Sequence, residues 1–182
     1  EAWYFIPMAI SSSLLPAIVS AKGVSEELYK SRLQKLYDLL SFISIAIAVP
    51  VTIFSEEIIV LLLGQKFLPA APVLTIYIWA GVGTFLGVAS SQFLVIENFT
   101  KLAFLRTLVG LVLNIILNFL LIPEMGIVGS ALATLISYNF ATFTLLFFPN
   151  TREQAFMMLK SLALVNLPKA LTGLWQLRFP KK

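Results

Sequence analysis

The stretch "NIILNFLLIPEMGIVGSALATLIS", Asn114 to Ser137, decides how this chain is read. Its leucines and isoleucines suit hydrocarbon, yet two asparagines, a proline, two glycines and a series of small residues interrupt them. In a bilayer such residues mark a turn between helices, close helix packing, or polar groups facing a partner or a watered cavity. The flanks narrow the choice. Residues 107–123 and 125–150 carry no charge, so the stretch joins the end of one apolar run to the start of another. Each run is of the order of the ~20 helical residues needed to cross a ~30 Å hydrocarbon core.

The same pattern extends over most of the 182 residues. Residues 2–21 and 70–96 are also uncharged, and a shorter uncharged run covers 39–55. The composition agrees: 59% of residues are hydrophobic and 12% charged, with a mean hydropathy of +0.92, against about 45–50% and about 25% for soluble domains. The expected fold is therefore an all-α polytopic transmembrane helix bundle. Its five expected spans cover about 2–21, 39–54, 70–96, 102–122 and 126–148, within a bundle of residues 1–150, followed by a basic interfacial or cytoplasmic tail over 151–182. The chain has no cysteine and no histidine, which excludes disulfides, thiolate sites and histidine-based acid–base or metal chemistry. No metal site, cofactor or catalytic residue is expected.

Local signals place the connections. Pro7 and Pro16 interrupt span one, with Ser11, Ser12 and Ser13 between them to satisfy freed carbonyls, which predicts a bend. "KGVSEELYKSRLQKLYD" is the most polar stretch, and its Leu28, Leu36 and Tyr37 predict an amphipathic helix along the surface before span two. Ser55, Glu56 and Glu57 predict a cap and first turn for a short helix that Gly64 ends. In the tail, Phe156, Leu159, Ala163 and Leu167 recur at helical spacing, as in an interfacial helix. The chain starts at Glu1, inside a span, and reads as the C-terminal part of something longer.

Charge tests the five-span reading, because Lys and Arg collect in cytoplasmic loops. Lys22, Lys30, Arg32 and Lys35 precede span two, Lys101 and Arg106 lie around the start of span four, and the tail holds Arg152, Lys160, Lys169, Arg178, Lys181 and Lys182. With five spans these twelve of the thirteen cations share one side, and Lys66 alone takes the other. The C-terminus is then expected to be cytoplasmic. The net charge of +4 reads as topology and contact with anionic head groups, and no nucleic-acid partner is implied.

Polar residues inside spans are the candidates for function. Asn114 and Asn118, four apart, share one helix face; they read as interhelical hydrogen bonding or as a polar strip along a substrate path. Arg106 near the start of span four reads as a snorkelling anchor or as a phosphate contact. Gln92 and Glu97 are expected across the short loop from it as possible partners. Every acidic residue falls outside the expected spans, which argues against ion coupling. "GVGTFLG" has neither the preceding strand nor the Lys-Ser/Thr of a phosphate loop.

Three segments, "EAWYFIPMAISSSLLPAIV", "PVTIFSEEIIVLLLGQKFLPAAPVL" and "NIILNFLLIPEMGIVGSALATLISY", resemble in order the C-terminal half of polysaccharide (O-antigen type) flippases of the multidrug/oligosaccharidyl-lipid/polysaccharide exporter superfamily. The third, with its order of Asn, Asn, Ile-Pro, Gly, Gly-Ser-Ala and Ala-Thr, is the most specific. The resemblance implies five of twelve spans, with an N-terminal half of the same protein supplying the rest, in a bacterial cytoplasmic (inner) membrane. It also implies movement of a polyprenyl-diphosphate-linked oligosaccharide between leaflets, with membrane lipids as further partners. Arg106, Asn114, Asn118 and Gln92 become the expected substrate-binding residues. The alternatives are a drug/cation antiporter of the same superfamily and a membrane assembly subunit that transports nothing. A membrane glycosyltransferase would need an acidic pair in a loop, and Glu56 and Glu57 sit in too short a segment.

Overall fold

The structure, a computed structural model, describes residues 4–163. Among these the regular elements are helical: α1 (Phe5–Lys22), α2 (Glu26–Ile53), α3 (Ser55–Leu63), α4 (Ala71–Ile96), α5 (Thr100–Met125), α6 (Ile127–Phe143) and α7 (Arg152–Leu162), with short 3₁₀ turns before α4 and after α6. Five helical segments are long and apolar enough to cross a membrane: Phe5–Lys22, Glu26–Ile53, Gln65–Ile96, Thr100–Met125 and Ile127–Phe147. The chain is thus an all-α, multi-pass membrane protein. Its described residues divide into two compact units, one from residues 4–43, 85–99 and 145–163 and one from 44–84 and 100–144. Helices α2 and α4 contribute one end to each.

Three helix boundaries differ from the sequence expectation. The surface helix and span two are a single helix, α2, because no glycine or proline falls between Glu26 and Pro50. Ser25 caps it by accepting the Leu28 N–H at 3.1 Å, with Glu26 and Glu27 in the first turn beside the positive end of the helix dipole. Helix α5 runs through Pro123 to Met125, so the turn expected over "IPEMG" contracts to Gly126, whose φ of 59° suits glycine. In α3 the residue at the cap position is Phe54, which makes no side-chain cap bond, and Ser55 is the first helical residue. Gly64 ends α3 as expected, at φ 91°.

In the first unit, large side chains fill the core: Tyr29, Leu33, Leu36, Tyr37, Leu86, Leu94 and Met158 are essentially inaccessible. Arg32 on α2 donates to the Ala17 carbonyl of α1. Between α4 and α5 the chain reverses through Asn98 in the left-handed region, with Phe99 N–H donating to Leu94 O at 2.7 Å. That six-to-one bond is the Schellman closure of a helix. Helix α7 docks against α2 with mixed polarity: Tyr37 OH donates to Gln154 Oε1 at 3.0 Å, Gln34 Nε2 to Met157 O at 3.1 Å, and Ser41 and Ser161 share a 2.7 Å bond. Ala155 and Met158 face inward, while Phe156, Leu159 and Ala163 of the expected apolar face remain exposed. Leu167, Lys169, Arg178, Lys181, Lys182 and Trp3 lie outside the described residues.

In the second unit small residues carry the packing. Helices α5 and α6 run antiparallel in close contact. A Cβ on Gly110 would meet Ala141 Cβ at 2.8 Å, Asn114 reaches Ser137, and a Cβ on Gly129 would meet Leu121 O at 2.4 Å. On α6 the residues Gly129, Ala133, Ser137 and Ala141 therefore form one ridge of four-residue spacing, and Gly110 and Asn114 lie on the facing ridge of α5. Another face of α6 meets α4: Thr142 Oγ1 donates to Gly83 O at 3.0 Å, and a Cβ on Gly83 would collide with Asn139 Oδ1 at 2.6 Å. Close approach replaces large-side-chain burial as the source of dispersion attraction, as expected where lipid removes the hydrophobic drive for helices to associate.

Candidate functional site

The polar groups held inside these apolar helices are the material for a site. Asn114 Nδ2 donates to Ser137 Oγ at 3.0 Å, and Asn118 Nδ2 donates to both the main-chain O (2.9 Å) and Oδ1 (3.0 Å) of Asn114. Ser137 Oγ in turn donates to Ala133 O at 2.6 Å. The two asparagines thus use their donors to tie α5 together and to α6. This is the interhelical role. One acceptor is left over: Asn118 Oδ1 is buried and has no hydrogen-bond partner among the described residues. A buried amide oxygen without a donor costs free energy, so of these two asparagines Asn118 keeps an acceptor open to a hydroxyl or water.

Arg106, two helical turns before Asn114, is 8% exposed. Its guanidinium is engaged within the protein rather than bare. Gln92 lies half-buried on α4 in the first unit, whereas Arg106, Asn114 and Asn118 belong to the second. Glu97 pairs with Lys22 at 2.9 Å. The same ammonium reaches the Ile96 carbonyl at 3.4 Å and lies 5.8 Å from the Tyr29 ring centroid. The helix-terminal carbonyl of Ile96 and the Glu97 carboxylate create a local negative field at the end of α4, which a lysine from α1 meets.

Sequence reading missed four polar contact residues, three of them buried and one, Asn139, half-buried. Ser137, Asn139 and Thr142 were visible as polar positions on an apolar helix, but only the register of α6 against α5 and α4 shows that they are its contact points. The fourth is Asp38, 6% exposed and accepting a 2.8 Å bond from Gln34 Nε2. The uncharged run that marks span two begins at Leu39, which puts Asp38 just outside it. Because α2 is continuous, Asp38 lies inside a helix long enough to cross the membrane, where an ionisable residue is a functional candidate. Among the described residues no group of three or more metal-ligating side chains comes together.

The arrangement supplies hydrogen-bonding groups and charges inside hydrocarbon-compatible helices. The chain is 32% identical over 134 residues, 71% of its length, to the probable low-salt glycan biosynthesis flippase Agl15 of Haloferax volcanii. It spans 28% of that relative's length. No family model and no solved structure matches the chain.

The seam makes a measurable prediction. Asn114→Ala removes the bond to Ser137 and an acceptor of Asn118, and should lower the stability of the detergent-solubilised protein by about 0.6–1.7 kcal/mol. Thermal unfolding followed by helix signal reads this directly, and an unchanged midpoint would show that the seam holds nothing together.

Proposed function

We propose that the protein is part of a transporter that moves a lipid-linked glycan, an oligosaccharide on polyprenyl diphosphate, across the cytoplasmic membrane for surface polysaccharide synthesis of the O-antigen type. The observation that carries the proposal is the likeness to a glycan flippase over 134 residues. Five segments able to cross a membrane, with polar residues on their inward faces, support it. The physical task is to shelter sugar hydroxyls and a diphosphate from a layer where each unpaired polar group is costly. Asn118 offers an acceptor for a hydroxyl, and Arg106, Asn114 and Gln92 complete the proposed substrate-binding set. The five spans form the C-terminal part of a twelve-span transporter, with the loops before α2 and α5 and the C-terminus on the cytoplasmic side, as the distribution of cations favours.

The deciding experiment is to express the gene that encodes this chain in a strain lacking its own glycan flippase. Restored surface polysaccharide is the expected result; a protein that inserts stably and leaves the lipid-linked precursor accumulating overturns the proposal.

Asp38 favours one alternative, coupling to a cation gradient as in an antiporter. A buried carboxylate in a membrane helix can carry a proton or sodium ion between states. Asp38→Asn keeps the shape and an oxygen able to accept from Gln34, but removes the charge. If Asp38 couples transport, vesicles containing the variant lose their response to an imposed proton or sodium gradient, while Gln34→Ala retains it. A full gradient response in Asp38→Asn eliminates the coupling role.

A further inference from the structure

The elbow between α2 and α4 turns its apolar side chains outward. Helix α3 buries only Ser55 and Ile59, while Leu61, Leu62 and Leu63 are 84%, 72% and 55% exposed. Phe54 before it and Phe67 after it are exposed as well. We infer that the C-terminal turn of α3 is sunk into the lipid of one bilayer leaflet, so that this elbow is a docking surface for the phospholipid membrane itself.

Three observations select lipid over a protein partner. Successive helical residues point about 100° apart, so the three leucines surround the turn rather than form the narrow i, i+3, i+4 stripe that fits a protein groove. Only liquid hydrocarbon solvates such a turn from all its open sides. Next, a single residue, Phe54, separates α3 from α2, and the 3₁₀ turn Gln65–Ala70 leads straight into α4. Both flanking helices are long enough to cross the membrane, which holds α3 at the boundary between head groups and hydrocarbon.

Finally, charge is distributed end to end rather than face to face. Glu56 and Glu57 are exposed in the first turn, and the leucines occupy the last. The helix, about 13 Å long, therefore enters lipid end first, with its carboxylates in water. Gly64 at φ 91° reverses the chain at the deepest point, and the exposed Lys66 just beyond it has the reach to return its ammonium to the phosphate layer. An open cleft of about 500 Å³ between α3 and the 3₁₀ turn carries Glu56 and Glu57 together with Val60, Leu61 and Leu68. Its mixture of charged and apolar lining suits the interfacial zone. None of this depends on what the protein transports.

The chain contains no cysteine, so single-cysteine variants report one site each. Leu62→Cys and Glu57→Cys in the full chain are reconstituted into vesicles of phosphatidylcholine and phosphatidylglycerol, opened to reagent on both sides. Leu62→Cys is expected to react with a charged maleimide about tenfold or more slowly than Glu57→Cys, the order of a leucine's preference for hydrocarbon. A fluorophore attached through a permeant maleimide at Leu62→Cys is expected to be quenched by nitroxide carried on lipid acyl chains. Equal reaction rates place the turn in water and overturn the inference. Slow reaction without lipid quenching means that protein covers the turn, and overturns it equally.

Discussion

A Gly129→Leu variant is expected to lose the α5–α6 pair, and with it most of the folded protein recovered from membranes. The first atom added would already be 2.4 Å from the Leu121 carbonyl oxygen, 2.6 Å from its carbon and 3.1 Å from Ile122 N. These are backbone atoms of a regular helix and cannot rotate away as a side-chain tip could. The helices must separate there, one turn beyond the Gly126 hinge, and the displacement spreads along a register shared by Ser137 with Asn114 and Ala141 with Gly110. Overpacking typically costs about 1–3 kcal/mol; Gly129→Ala should fall in that range and Gly129→Leu well above it. Gly81→Ala is the control, since nothing lies within 4 Å of the position its Cβ would take. Thermal unfolding of the purified variants decides the matter. If Gly129→Leu melts with Gly81→Ala, α5 and α6 do not meet as described.

The second large effect is expected at Arg106. Its guanidinium is drawn into the protein on α5, where neutral substitution removes both a charge and up to five donors. If it meets phosphate, Arg106→Ala should lower transport by roughly tenfold or more, in line with the ~1.5–3 kcal/mol of a charge-assisted hydrogen bond. Arg106→Lys keeps the charge but not the planar fork, and should retain part of the activity. Transport of a fluorescent lipid-linked oligosaccharide into vesicles, normalised to inserted protein, separates the cases. Wild-type rates in both variants would leave Arg106 as an anchor of α5 only.

Helix identity was legible because hydrocarbon demands long uncharged runs, and this chain states them without ambiguity at residues 70–96 and 125–150. Boundaries were less legible. Asp38 and the polar half of α2 resemble a surface helix in sequence because charge marks the usual limit of a span, yet a charged or polar side chain stays within a helix when another element pairs with it, as α7 does through Gln154, Met157 and Ser161. Pro123 suggests the start of a turn, yet α5 continues through it to Met125 and gives up the one hydrogen bond that a residue 123 N–H would donate to the Phe119 carbonyl. Glu97 pairs with Lys22, far away along the chain, a partner that nearness in sequence does not suggest.

The sequence by itself determined the all-α class, the five apolar segments, the absence of cysteine and histidine chemistry, and the glycine that ends α3. These follow from composition and from local backbone preference, which need no partner. Only the tertiary structure decided what the polar residues do: that Asn114 spends its amide on Ser137, that Asn118 keeps an open acceptor, that Asp38 is buried, and that α6 meets α5 through its small residues and α4 through Asn139 and Thr142. A hydrogen bond or a close backbone approach is a property of two surfaces at once, and its second half is written elsewhere in the chain.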